Sequence, residues 1–222
     1  RLLSRGLGDV YKRQLESRAF SELVQTSVAK QLVRVHRLGE RNGRDGGLGE
    51  SSNFNSDQSL NVNELQKPSV IGAGIMGAGI AARHVRSGFV TRLVDVDAKA
   101  LSESVPAILE EAAWDRFYQK TDQKKMRELT GCLMPTTQLL SITDADIVIE
   151  SVIERTDLKR QVLAEIENIV SPKAIICTNT STNPIATLAS VFSDPTRFCG
   201  MHFFNPVRKM SLVEVIRGPE TS

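Results

Sequence analysis

Gly72-Ala73-Gly74-Ile75-Met76-Gly77 follows the apolar run Ser69-Val70-Ile71 and leads into Ala78-Gly79-Ile80-Ala81. The stretch fits G-x-G-x-x-G placed between a strand and a helix, the context that the dinucleotide fingerprint requires. Gly72 permits the tight turn. Gly74 lets backbone approach a pyrophosphate, and Gly77 lets helix and strand pack closely. The helix N-terminus then faces the phosphates. An acidic residue is expected to close the next strand and hold the ribose hydroxyls. Asp95 ends Arg92-Leu93-Val94-Asp95 at the required distance. A carboxylate there repels a 2′-phosphate and no arginine follows it, so NAD is expected rather than NADP. Arg92 shares a strand face with Val94 and is expected away from the ribose end.

Outward from the loop, short β-rich runs alternate with longer helical ones. This pattern argues for an α/β fold of the Rossmann type, a doubly wound, mostly parallel sheet with crossover helices. Strands are expected at 69–72, 91–96, 132–135, 146–151, 174–178, 198–203 and 212–216. Helices are expected at 76–87, 98–118, 122–129, 158–170 and 184–191, the last with proline in its first turn. This domain is expected to fill residues 65–222.

The segments before it read differently. Residues 15–38 place Leu15, Phe20, Leu23, Val24, Val28, Leu32, Val33 and Val35 at helical spacing, an amphipathic helix. Residues 39–64 carry Gly39, Gly43, Gly46, Gly47 and Gly49 among Asn and Ser, the composition of a flexible linker. Residues 1–14 include Asp9-Val10-Tyr11-Lys12-Arg13-Gln14, which resembles a translated sequencing adapter and is set aside from fold reasoning.

Composition narrows the function classes. The 222 residues are 41% hydrophobic and 24% charged, ordinary for a globular domain, and the formal charge is +2. That charge is too small to indicate nucleic acid, and no basic run alternates with aromatics. No apolar run approaches the roughly 20 residues of a membrane span. Cys132, Cys177 and Cys199 have no metal spacing, so no metal site is expected, and buried free thiols are.

Two further groups carry chemistry. His202 stands in Met201-His202-Phe203-Phe204-Asn205-Pro206, and Glu214 follows twelve residues later. An imidazole can accept and return a proton near neutral pH, and a carboxylate on its other nitrogen fixes the tautomer. The bland alternative is a satisfied histidine at a strand end and a surface acid.

Taken together, these blocks resemble the NAD-binding domain of the L-3-hydroxyacyl-CoA dehydrogenases of fatty-acid β-oxidation. The resemblance runs from about Ser69 to Ser222. It rests on the glycine loop, Asp144-Ala145-Asp146-Ile147-Val148-Ile149-Glu150, Glu154 with Lys159, Thr178-Asn179-Thr180-Ser181, the His202 block and Leu212-Val213-Glu214-Val215-Ile216. It implies that His202 is the general base and Glu214 its partner. Ser181 is implied near substrate oxygen and nicotinamide, and Asn205 at their junction. Met76, Asp95, Val152, Ile153, Glu154 and Lys159 are implied to line the NAD site with Gly72, Gly74 and Gly77. Ser181 could instead cap the helix at Pro184, and Lys159 could be a solvated helix charge.

The implied activity is NAD-dependent oxidation of (S)-3-hydroxyacyl-CoA to 3-oxoacyl-CoA. The resemblance also implies an interior slice of a multifunctional protein. Residues 15–38 would lead from an upstream hydratase domain, and a downstream helical domain would complete the acyl-CoA cleft. The parent would be oligomeric, with a thiolase subunit as a candidate partner and a bacterial cytoplasm as the expected compartment. Lys120, Lys124 and Lys125 are candidate CoA phosphate contacts, although a solvated helix face accounts for them better. Two alternatives stay open: a dinucleotide-binding fragment that catalyses nothing, and another Rossmann 3-hydroxyacid dehydrogenase. The latter type uses a lysine where this chain has histidine and acid.

Overall fold

The computed structural model describes residues 65–222. The expectations for 1–14, 15–38 and 39–64 lie outside the described residues.

Alternation of strand and helix gives the predicted doubly wound architecture. A seven-stranded sheet carries the order β5-β2-β1-β6-β7-β8-β9. Its strands are β1 (Pro68–Ile71), β2 (Thr91–Val94), β5 (Leu133–Thr136), β6 (Ile147–Glu150), β7 (Ile175–Thr178), β8 (Phe198–Phe203) and β9 (Val213–Arg217). All neighbouring pairs are parallel except β8 with β9, which is antiparallel. The chain winds outward from β1 through β2 to β5, then returns to β6 on the other side of β1. The switch point therefore lies between β1 and β6, where ligands of open α/β sheets bind at the carboxyl ends of the strands.

The period-2 pattern of the central strands divides the core. Val148 joins a cluster with Leu163, Ile166, Ile185 and Leu188, whereas its neighbour Ile149 joins Ile80, Val85, Leu101 and Ile108. One face of the sheet thus takes α1 (Ile75–Arg86) and α2 (Ala98–Ala112), and the other takes α4 (Thr156–Ile169) and α5 (Ile185–Ala189). A sheet covered on both faces explains the continuous apolar centre of β6.

One element differs from expectation. The helix predicted over 98–118 stops at Ala112. A small antiparallel pair follows, β3 (Trp114–Asp115) with β4 (Lys120–Thr121), before α3 (Gln123–Leu129). The Arg86 guanidinium donates to the carbonyls of Ala112 and Trp114, at 3.1 and 2.6 Å, and so takes up two backbone acceptors where the helix ends. Asp115 accepts from the amides of Phe117 and Tyr118, closing the turn, and Gln119 adopts a φ of 51°. The thiols also differ in part: Cys177 is buried, but Cys132 and Cys199 are half-buried.

Candidate active site

The glycine loop begins at the carboxyl end of β1. Gly72 has a φ of +104°, and a Cβ there would lie 2.6 Å from the Ser151 carbonyl oxygen. Both the turn and the close approach of the loop after β6 therefore require glycine. A Cβ on Gly77 would meet the Gly72 carbonyl oxygen at 1.9 Å, which fixes this position as the packing glycine. Gly74 is the residue before α1, and a Cβ on it would meet nothing within 4 Å. The space beside its backbone is open, and the first-turn amides of a three-turn helix face that space.

Asp95 follows β2 at the same edge. Its Oδ2 accepts from the Ala73 amide at 2.7 Å and its Oδ1 from the Asp97 amide at 2.9 Å. The carboxylate is thereby clamped beside the glycine loop, and each oxygen keeps a lone pair for a hydroxyl. Arg92 pairs instead with Asp144 at 2.8 Å, at the opposite end of the sheet, so no cation of β2 stands at the ribose end. These groups fit an NAD adenosine half and its pyrophosphate: an open glycine backbone, a helix N-terminus and an anchored acid.

The second half of the site lies across the ends of β6 and β7. Val152 is half-buried, and its amide donates to Glu150 Oε1 at 2.7 Å. Ile153 is exposed. Glu154 gathers the loop after β7. Its Oε1 accepts from the Thr180 hydroxyl, from the amides of Ser181 and Thr182 at 3.2 and 3.3 Å, and from Asn183 Nδ2 at 3.1 Å. Burial alone would raise the Glu154 pKa. The Thr180 hydroxyl and the Lys159 ammonium outweigh it and lower the value to about 2. Lys159 is not a solvated helix charge: it is 1% exposed and pairs with Glu150 at 2.8 Å and Glu154 at 3.2 Å. Ser181 is exposed and is not the helix cap, because Pro184 occupies that position with no side-chain bond.

The third part is the β8–β9 hairpin. Antiparallel register sets His202 directly opposite Glu214. Cross-strand partners on one face stand within side-chain reach, and His202 Nδ1 lies 2.9 Å from Glu214 Oε2. The pair expected from the sequence is thus in contact, with the imidazole largely covered and the Glu214 carboxylate half exposed. The Phe204 ring packs against the imidazole with centroids 4.6 Å apart. Asn179 Oδ1 accepts from the Phe203 amide at 2.8 Å and ties the loop after β7 to the end of β8. Asn205 is exposed just beyond β8, and Met76 is half-buried in the first turn of α1.

A family model described as "3-hydroxyacyl-CoA dehydrogenase, NAD binding domain" matches residues 67–222. The chain belongs to this family. Solved members agree with the assignment. The (S)-3-hydroxybutyryl-CoA dehydrogenase PaaH1 of Ralstonia eutropha is 37% identical with a TM-score of 0.66, and the match covers 71% of this chain and 56% of that one. FadB2 of M. tuberculosis is 32% identical with a TM-score of 0.67 and the same coverage. The dehydrogenase part of multifunctional enzyme 1 from C. elegans is 30% identical with a TM-score of 0.64, over 71% of this chain and 36% of that one. This chain therefore spans little more than half of the two bacterial relatives. NAD is the family's cofactor, and the parallel sheet with its flanking helices is the family's Rossmann-like fold.

Sequence reasoning did not single out Glu150, which lies behind the cluster around Glu154. It is fully buried, pairs with Lys159 and accepts from the Thr178 hydroxyl at 2.6 Å. An acid ending an apolar strand core, beside Thr178 on the next strand, was the available signal.

Proposed function

We propose that the whole protein oxidises (S)-3-hydroxyacyl-CoA to 3-oxoacyl-CoA in fatty-acid β-oxidation, with His202 as general base. The observation that carries this reading is the 2.9 Å contact between His202 Nδ1 and Glu214 Oε2, at the same sheet edge as the glycine loop. A proton held on Nδ1 and donated to Glu214 leaves the Nε2 lone pair free for the substrate 3-hydroxyl. As that hydroxyl proton moves to Nε2, the imidazole becomes cationic, and the Glu214 carboxylate stabilises it. Bound NAD supplies the acceptor for the hydrogen and electron pair that leave C3. The Ser181 hydroxyl and Asn205 amide are the polar groups assigned to the developing carbonyl oxygen and its junction with the nicotinamide. Gly74 and the first-turn amides of α1 meet the pyrophosphate, with Gly72 shaping the turn and Gly77 the helix packing. Asp95 holds the adenosine ribose, and Met76, Val152, Ile153 and Glu154 line the remaining NAD site, with Lys159 buried behind Glu154.

The C. elegans relative, the dehydrogenase part of a multifunctional enzyme, supports reading this chain as one segment of a larger protein. In that reading the chain by itself binds NADH and turns over acetoacetyl-CoA poorly. The test of the base is His202→Ala in the longer protein. Its kcat for 3-hydroxybutyryl-CoA should fall by about 10²- to 10⁴-fold, the range for losing a general base, with NADH affinity unchanged. Near-native turnover would remove His202 from that role.

A further inference from the structure

Glu150 and Lys159 are sealed from solvent, at 0% and 1% side-chain exposure. A buried ion pair is a weak source of stability, since replacing it with well-packed neutral residues is often neutral or stabilising. Its connections point elsewhere. The Lys159 ammonium has three hydrogens and three acceptors: Glu150 Oε1 at 2.8 Å, Glu154 Oε2 at 3.2 Å and the Val152 carbonyl at 3.3 Å. Glu150 Oε1 also takes the Val152 amide, so one carboxylate oxygen fixes both the ammonium and the start of the 151–155 turn. Glu150 Oε2 takes the Thr178 hydroxyl, and the Glu150 carbonyl takes the Asn179 amide at 2.8 Å. Glu154 then collects the 180–183 loop through its Oε1. A continuous chain of polar contacts thus runs from a residue no ligand can touch to the loop that carries Ser181.

We propose that Glu150 is a positioning residue of the cofactor site, acting through Lys159 and the 151–154 turn to set Glu154 and the 180–183 loop. The proposal rests on the NAD reading of this site. Glu150 holds the lysine and the turn in one geometry, and the site's donors and acceptors inherit it. The cluster holds one ammonium, the buried Glu150 carboxylate and the partly exposed Glu154 carboxylate, so Glu150 also sets the charge balance around the buried lysine.

The test is a double-mutant cycle in this chain, using E150Q, K159M and E150Q/K159M, read by NADH titration, thermal unfolding and amide NMR without ligand. E150Q keeps the shape of the side chain and removes the anion facing Lys159. It should weaken NADH binding by about tenfold, the scale of coupling within one polar network. Because Glu150 acts through Lys159, E150Q/K159M should bind no more weakly than K159M. The double variant should also regain most of any lost melting temperature, since it buries no unpaired charge. In folded E150Q/K159M without ligand, the amide signals of Ser181, Thr182 and Asn183 should move from their native positions. Independent losses that multiply in the double variant would overturn the proposal. So would unmoved loop amides, which would leave Glu150 a purely structural residue. If the native chain binds no NADH, the cofactor reading fails, and the loop amides decide the positioning role by themselves.

Discussion

Gly77 and Gly74 are both glycines of one motif, yet they answer to different constraints. At Gly77 a methyl group would sit 1.9 Å from a backbone oxygen. No side-chain rotation relieves that clash, so Gly77→Ala should cost more than about 4 kcal/mol, the range reserved for a disrupted backbone. At Gly74 the backbone is extended, with φ −67° and ψ −178°, and a Cβ would meet open space. Gly74→Ala should therefore stay within about 0.5 kcal/mol of native stability while weakening NADH binding. Urea unfolding with a parallel NADH titration separates the two. Equal destabilisation of both variants would contradict the packing role of Gly77. Glu154 carries a pH signature of its own. Its folded pKa, about 2, lies below the ordinary 4.5, so its contribution to stability is present above pH 4.5 and lost as pH falls through 2. Glu154→Gln should flatten the acid limb of the melting curve in that window. An unchanged limb would mean that the 180–183 loop does not depend on this carboxylate.

Helix α1 shows what its sequence could reveal and what it could not. The glycine spacing and the small residues behind it were legible, because they follow from a turn and a close packing that the local chain must make. The surroundings of His84 were not. It is half-buried near Phe89, and desolvation, aided by the Arg83 charge, lowers its pKa from 6.5 to about 4. A neutral folded histidine stabilises fully above pH 6.5, and that stability is lost as pH falls toward 4. Replacing it by leucine should remove this decline, measured as melting temperature against pH between 6.5 and 4. A variant that still declines as steeply would point to other groups. The end of α2 was illegible for a related reason. Helical periodicity continues past Ala112, but Arg86 from another helix takes the carbonyls at that point. Lys159 read equally well as a surface lysine, since Glu150, which buries it, lies nine residues back across a strand end. By contrast, Glu214 was legible as a partner of His202, because a hairpin puts residues twelve apart face to face.

At the scale of the whole domain, the proposed cofactor residues come from five separate returns of the chain to one sheet edge. A ligand bridging the ends of β1, β2, β6 and β7 should couple them into a more cooperative unit. NADH at a hundred times its Kd should add about 2.7 kcal/mol. That corresponds to a rise of roughly 5–10 °C in melting temperature for a domain of this size. NADPH at equal concentration should give a clearly smaller rise, because Asp95, in its proposed place at the ribose, would repel the extra phosphate. An equal or larger shift with NADPH would undo the Asp95 assignment.

The antiparallel β9 carries a last consequence. Its five residues are all exposed, and it hangs at the sheet margin through β8, whereas β1 is hemmed in by β2 and β6. Strand margins open by local fluctuation at a lower free energy than strands held on both sides. The proposed proton-handling pair is thus expected to belong to a subglobal unit that opens before the glycine-loop region does. On warming, amide exchange should accelerate first along Val213–Arg217, and His202 would part from Glu214 while the glycine loop between β1 and α1 is still folded.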